Sequence, residues 1–156
     1  MEIVYIKTPL GIAKIAGDAN GISEISILSG GEISAAIPKI LLDATLQIRD
    51  YFDGKITDFN FVMNPSGTEF QKKVWAELLK IPFGKTISYL DLSKKVGNVK
   101  AIRAVASANG KNPLWIVIPC HRVIGTDGSL IGYAGGLWRK KWLIEHENPS
   151  QQQILF

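Results

Sequence analysis

Ser88-Tyr89-Leu90-Asp91-Leu92-Ser93-Lys94-Lys95-Val96-Gly97-Asn98-Val99-Lys100-Ala101-Ile102-Arg103-Ala104-Val105-Ala106-Ser107-Ala108-Asn109 reads as two short helices about a glycine turn. Ser88 followed by Asp91 has the form of a helix start, and Val96-Gly97 the form of a stop. A further helix begins near Asn98 and ends at Gly110. Two helices joined by a short turn containing glycine form the helix-turn-helix signature, whose second member is the expected nucleic-acid reader. On that member Lys100, Arg103 and Ser107 share one face and Ala101, Val105 and Ala108 another. Small side chains beside Arg103 allow close approach to a groove and leave the arginine as the long group able to reach a base stack.

Working toward the N-terminus, Thr68-Glu69-Phe70-Gln71 has capping-box form and opens a helix on which Phe70, Val74 and Leu78 recur, with Trp75 and Leu79 beside them. Before Asn64-Pro65-Ser66-Gly67 the texture differs. Ile3–Ile6, Gly11–Ala16 and Ile22–Leu28 are β-branched segments separated by Thr8-Pro9 and Asp18-Ala19-Asn20-Gly21, which predicts an antiparallel meander. A helix from Pro38 to Phe52 would then present Ile40, Leu41, Ala44, Ile48 and Tyr51 as its apolar face. The expected class is α+β. A small N-terminal α/β scaffold lobe spans 1–63, and a helical DNA-binding lobe carrying the chemistry spans 64–156.

The charge follows the same division. The net charge of +4 combines −3 over residues 1–63 with +7 over residues 64–156, so the second lobe is the one that attracts a polyanion. No run approaches the roughly 18 apolar residues of a membrane span, and the N-terminus lacks the basic start of a secretory signal. A soluble cytoplasmic protein is expected. One cysteine and two histidines are too few for a closed structural zinc site of Cys and His.

Toward the C-terminus the apolar run Leu114–Ile118 reads as a buried extended segment that delivers Pro119-Cys120-His121-Arg122 to a fixed point. Pro119 stiffens the approach to Cys120 through its preset φ. A thiol attacks as its thiolate and needs a base, for which His121 is the adjacent choice. Neighbouring side chains of an extended segment point to opposite sides, which makes a direct Cys-His bond awkward, and a bridging water would solve the geometry. A carboxylate would orient the imidazole, from among Asp127, Glu145 and Glu147. His146 instead suits a helix C-terminus. A DNA-binding regulator without a reaction shares the helix and charge but leaves Cys120 unexplained. A Cys-His hydrolase uses the thiol and base but lacks an evident acyl pocket.

Ile118-Pro119-Cys120-His121-Arg122-Val123, with Ile87-Ser88-Tyr89, Arg103-Ala104-Val105 and Tyr133-Ala134-Gly135-Gly136 in order around it, resembles the O6-alkylguanine-DNA alkyltransferases. The likeness runs from about Pro65 to Glu147. It implies a ribonuclease H-like first lobe, a winged helix-turn-helix-like second lobe and a monomer that repairs double-stranded DNA by direct reversal. An alkyl group on O6-alkylguanine, with O4-alkylthymine as a further implied substrate, would pass irreversibly to Cys120 after base flipping. By the same resemblance His121 ionises Cys120 through a water, Glu147 orients His121, Tyr89 assists the leaving base and Asn112 holds the reactive turn. Arg103 fills the vacated stack, with Lys100, Ser107 and Arg122 as further DNA contacts. Tyr133, Ala134, Gly135 and Gly136 line the base pocket. Ala134 stands where many members have Ser, which removes one side-chain donor toward the alkylated oxygen. Some members hold a metal in the first lobe, but here residues 1–63 contain neither Cys nor His, so neither metal nor cofactor is expected.

Overall fold

Three β-branched segments with tight, chemically specified turns leave little choice but a meander, and the computed structural model, which describes residues 1–130, 133 and 135–149, forms one. Strands β1 (Glu2–Thr8), β2 (Gly11–Asp18) and β3 (Gly21–Leu28) pair antiparallel in the order β1-β2-β3. Thr8 Oγ1 closes the first turn, donating to the Gly11 carbonyl at 2.8 Å and accepting from the Leu10 N–H. Asp18 closes the second by accepting from the Asn20 N–H at 2.8 Å. Gly21 takes φ 129° there, and a Cβ would lie 2.9 Å from the Val62 carbonyl oxygen, so only glycine fits.

The sheet buries Val4, Ile6, Ala13, Ile15, Ile25 and Ile27. Helix α1 (Leu42–Phe52) covers it with Ala44, Thr45, Ile48 and Tyr51, and begins after a 3₁₀ turn over Lys39–Leu41. That turn changes the angular spacing, so Ile40, expected on the apolar face, is 45% exposed while Leu41 is buried. This compact unit comprises Met1–Ser66 and a later segment, Pro113–Val117. The later segment joins through β3: Ile25 donates to the Pro113 carbonyl at 2.8 Å, and Trp115 donates to the Ile25 carbonyl at 3.0 Å. The expected extended run ends there. Ile116 adopts φ 75°, strained for a β-branched residue, and the chain turns.

The second unit holds Gly67–Asn112 and the chain from Ile118 onward. Its helices are α2 (Glu69–Leu78), α3 (Tyr89–Val96), α4 (Ile102–Gly110, preceded by a 3₁₀ turn over Val99–Ala101) and α5 (Leu137–Glu147). The two-residue strands β4 (Ile87–Ser88) and β5 (Val123–Ile124) pair in parallel. Helices α2, α3 and α4 pack against one another. Val74, Trp75, Leu78, Leu92, Val96, Val105 and Ala108 are buried, and Trp75 Nε1 donates to the Ala108 carbonyl at 2.9 Å. Phe70 and Leu79, read as apolar-face residues, are partly exposed, at 37% and 45%. No described helix is long and apolar enough to cross a membrane.

The start of α2 is a complete capping box: the Gln71 N–H donates to Thr68 Oγ1 at 3.1 Å and the Thr68 N–H to Gln71 Oε1 at 2.9 Å. Thr68→Ala removes the side-chain acceptor, and urea unfolding should show a loss of about 1 kcal/mol.

Candidate active site

Pro119 and Arg122 build the reactive turn. The Arg122 N–H donates to the Pro119 carbonyl at 3.0 Å, closing a 3₁₀ turn over Cys120–Arg122 in place of the expected extended backbone. The Asn112 side chain fixes its entry, with Nδ2 donating to the Ile118 carbonyl at 2.7 Å. Cys120 and His121 are both buried and make no hydrogen bond to each other.

Glu147, at the end of α5, meets both residues that follow the cysteine. His121 Nε2 lies 2.7 Å from Glu147 Oε2. Arg122 donates from Nε to Oε1 at 2.7 Å and from Nη2 to Oε2 at 3.1 Å, while its Nη1 donates to the Ile81 carbonyl at 2.6 Å. Of the three carboxylates left open by sequence, Glu147 is therefore the one beside His121. Asp127 sits in an exposed turn and accepts from Ser129. Glu145 has a buried Oε1 with no hydrogen-bond partner among the described residues. Arg122 requires a correction. Expected on DNA, it is buried, and its guanidinium is committed to a carboxylate and a carbonyl, so it has no outward fork for a phosphate.

Burial disfavours the Glu147 charge, but the His121 interaction and the Arg122 guanidinium outweigh it and hold the carboxyl well below the usual range. Burial pushes His121 below its ordinary value, against the pull of Glu147. Near neutrality this leaves a carboxylate facing a neutral imidazole. Only an Nε2–H satisfies that contact, so Nδ1 carries the lone pair. Nδ1 is buried with no hydrogen-bond partner among the described residues. Burial also pushes the Cys120 thiol up, while hydrogen bonds from Asn112 and Tyr133 and the charge of Lys140 pull it down. The arrangement combines a buried thiol with a nearby open base.

Tyr89, the first residue of α3, is buried beneath the Lys140 ammonium, which lies 5.6 Å from its ring centroid. Tyr133 bonds Cys120, and burial raises its phenol well above the ordinary value. The Gly135 carbonyl accepts from Arg139 Nη1 at 2.9 Å, and Gly136 takes φ 92° before α5. Ala134 lies outside the described residues. Arg103 and Ser107 are exposed on α4 and Lys100 is exposed in the turn before it. His146 stacks on Trp142, with ring centroids 4.8 Å apart. No group of three or more metal-capable His, Cys, Asp or Glu side chains occurs among the described residues.

Sequence reasoning missed two residues. Lys140 is 0% exposed, and burial lowers its amine to about 8. It shares a face with Leu143, Ile144 and Glu147 at the i, i+3, i+4, i+7 spacing of a core stripe, which was the available signal. Asn109 is buried on α4, and its Nδ2 lies 3.4 Å from both the Tyr89 hydroxyl and the Cys120 carbonyl.

A lone buried thiol beside an imidazole that a carboxylate holds, set among short helices, is the arrangement of a candidate cysteine nucleophile. Residues 69–149 match the family model described as the 6-O-methylguanine DNA methyltransferase DNA-binding domain. Over 152 residues the chain is 41% identical to a methylated-DNA–protein-cysteine methyltransferase of Methanosarcina barkeri, covering 93% of this chain and 96% of that protein. The crystal structure of Mycobacterium tuberculosis O6-methylguanine methyltransferase superposes with a TM-score of 0.83 at 37% identity, over 95% of this chain and 94% of that one. Mycobacterium tuberculosis OGT in complex with DNA gives 0.85 at 39%, over 93% and 91%. The chain belongs to the methylated-DNA–protein-cysteine methyltransferase family, and the likeness includes the first lobe, which the family model does not reach.

Glu147→Gln would leave the Arg122 guanidinium buried without its counter-charge, and should cost about 3–5 kcal/mol in chemical unfolding at neutral pH. Because the folded carboxyl is depressed, its contribution is complete above the ordinary value of 4.5 and declines as pH falls below it. The wild type should lose stability over that acid range, and the variant should lack this component of the slope.

Proposed function

We infer that this protein repairs double-stranded DNA by direct reversal, moving the alkyl group of O6-alkylguanine irreversibly to Cys120. The observation that carries the reading is the buried Cys120 thiol beside His121, whose Nδ1 is open and whose Nε2 is held by Glu147. In the first step the thiol proton passes through a bridging water to His121 Nδ1, and Glu147 stabilises the imidazolium. The thiolate then attacks the alkyl carbon. An S–C bond forms as the C–O6 bond breaks, and the electron pair leaves on guanine. The Tyr89 hydroxyl donates to the departing base, and the proton taken from the thiol ends on guanine. The thioether is not cleaved again, so each molecule acts once. Nucleophile and acceptor are the same atom, and no cofactor enters these steps.

The target oxygen is buried in a duplex and the base must leave the stack. Exposed Lys100, Arg103 and Ser107 are assigned to the DNA, with Arg103 filling the gap and Tyr133, Gly135 and Gly136 lining the base pocket. O4-alkylthymine falls within the same chemistry. Residues 1–63 serve as a ribonuclease H-like scaffold and 64–156 as a winged helix-turn-helix lobe, in a monomer that acts in the cytoplasm.

Incubation with duplex DNA containing O6-methylguanine should add the mass of one methylene unit to the peptide bearing Cys120, once per molecule. Unmodified Cys120 beside an intact lesion would refute the reading, and repeated release from an activated ester would favour a hydrolase. Arg103→Ala should slow repair of duplex about tenfold, roughly 1.4 kcal/mol, and leave reaction with free O6-benzylguanine nearly unchanged. Equal losses would assign Arg103 another role.

A further inference from the structure

Asn109 occupies a core position of α4 beside Val105 and Ala108 and is 2% exposed. Packing alone would be served by an aliphatic side chain, because a buried amide must find partners for both ends. Its Nδ2 has two hydrogens and two acceptors, the Tyr89 hydroxyl and the Cys120 carbonyl, each at 3.4 Å. The carbonyl fixes the orientation: turned over, the amide would set Oδ1 against the Cys120 oxygen, acceptor to acceptor. Oδ1 has no hydrogen-bond partner among the described residues, so the amide is held for its N–H side at the expense of its oxygen. An N–H aimed at the phenol oxygen makes that oxygen the acceptor, and the phenol's own proton must then point away from Asn109.

We propose that Asn109 is a positioning residue that ties the Tyr89 hydroxyl to helix α4 and directs its proton toward the leaving base. The proposal rests on the alkyl-transfer reading. The same short helix carries exposed Arg103 six residues earlier, about 120° around its axis, so one rigid element bears an outward contact and the inward restraint on the phenol. The hydrogen bond from Asn109 also opposes the rise that burial imposes on the Tyr89 pKa, which keeps the phenol a better donor. At 3.4 Å the contacts are longer than an ordinary N–H···O bond, so their contribution is direction more than strength.

The test is a double-mutant cycle on the whole protein. Single-turnover rates on saturating O6-methylguanine duplex would be measured for wild type, Asn109→Leu, Tyr89→Phe and the combination. Asn109→Leu should lower the maximal rate about tenfold with the half-saturating DNA concentration unchanged. In the Tyr89→Phe background it should have an effect of about twofold or less. The same fractional loss in both backgrounds, a loss confined to DNA affinity, or no loss would overturn the proposal. Asn109→Ala removes the donor with a smaller side chain and carries the same cycle if the leucine variant does not fold. A wild type that leaves Cys120 unmodified would defeat the alkyl-transfer reading itself, before any variant is compared.

Discussion

The Glu147 carboxylate is taken out of water at the end of α5 and held by two cationic or polar partners that are consecutive in sequence. Desolvating a carboxylate is expensive, and the attraction of a single partner seldom repays it in full. Here Arg122 takes both oxygens and His121 shares one of them, while the remaining guanidinium nitrogen is satisfied by the Ile81 carbonyl. The geometry tolerates little slack, because any shift of the 3₁₀ turn over Cys120–Arg122 breaks several charged contacts at once. This restraint sets the imidazole plane, its tautomer and the direction of Nδ1. Asn112 holds the other end of the same turn through the Ile118 carbonyl. The reactive cysteine is thereby fixed from both sides by groups that do not react.

Much of the second unit was legible because its signals are local. The capping box at Thr68, the Ser88 start and the Gly97 stop each act within four residues, and each forms as the pattern requires. The meander was legible for the same reason, since Thr8 and Asp18 close their turns with their own side chains. The failures arise where a distant partner or a change of helix type decides. Ile40 turns outward because a 3₁₀ turn precedes α1, and periodicity at 3.6 residues does not register that change. Leu114–Ile118 has strand composition, yet only its first residues pair with β3 before Ile116 turns into the left-handed region.

The site shows the same division. Cys120 and His121 were evident as adjacent residues of matched chemistry, but the choice among three carboxylates required a pairing across 26 positions, which spacing alone does not encode. Arg122 was misread for a related reason. A basic residue in a basic lobe invites assignment to a polyanion, whereas a guanidinium has enough donors to be consumed inside the protein when a carboxylate is buried beside it. Lys140 is legible in principle as a lysine at a core position of the α5 stripe, but a net charge summed over the lobe does not distinguish a buried lysine from a surface one.

Lys140 changes the charge balance of the buried group. With the thiol protonated and His121 neutral, Glu147 contributes one negative charge while Arg122 and Lys140 contribute two positive ones. Burial weakens the Lys140 ammonium, and the Cys120 charge supports it; in return the ammonium favours ionisation of Cys120. The Lys140 charge thus favours an anion at the sulfur. The environment is arranged before the proton moves, so ionisation demands little reorganisation around the sulfur. Where Glu147 holds the imidazole, Lys140 favours the thiolate through its charge, and the two side chains share a single face of α5.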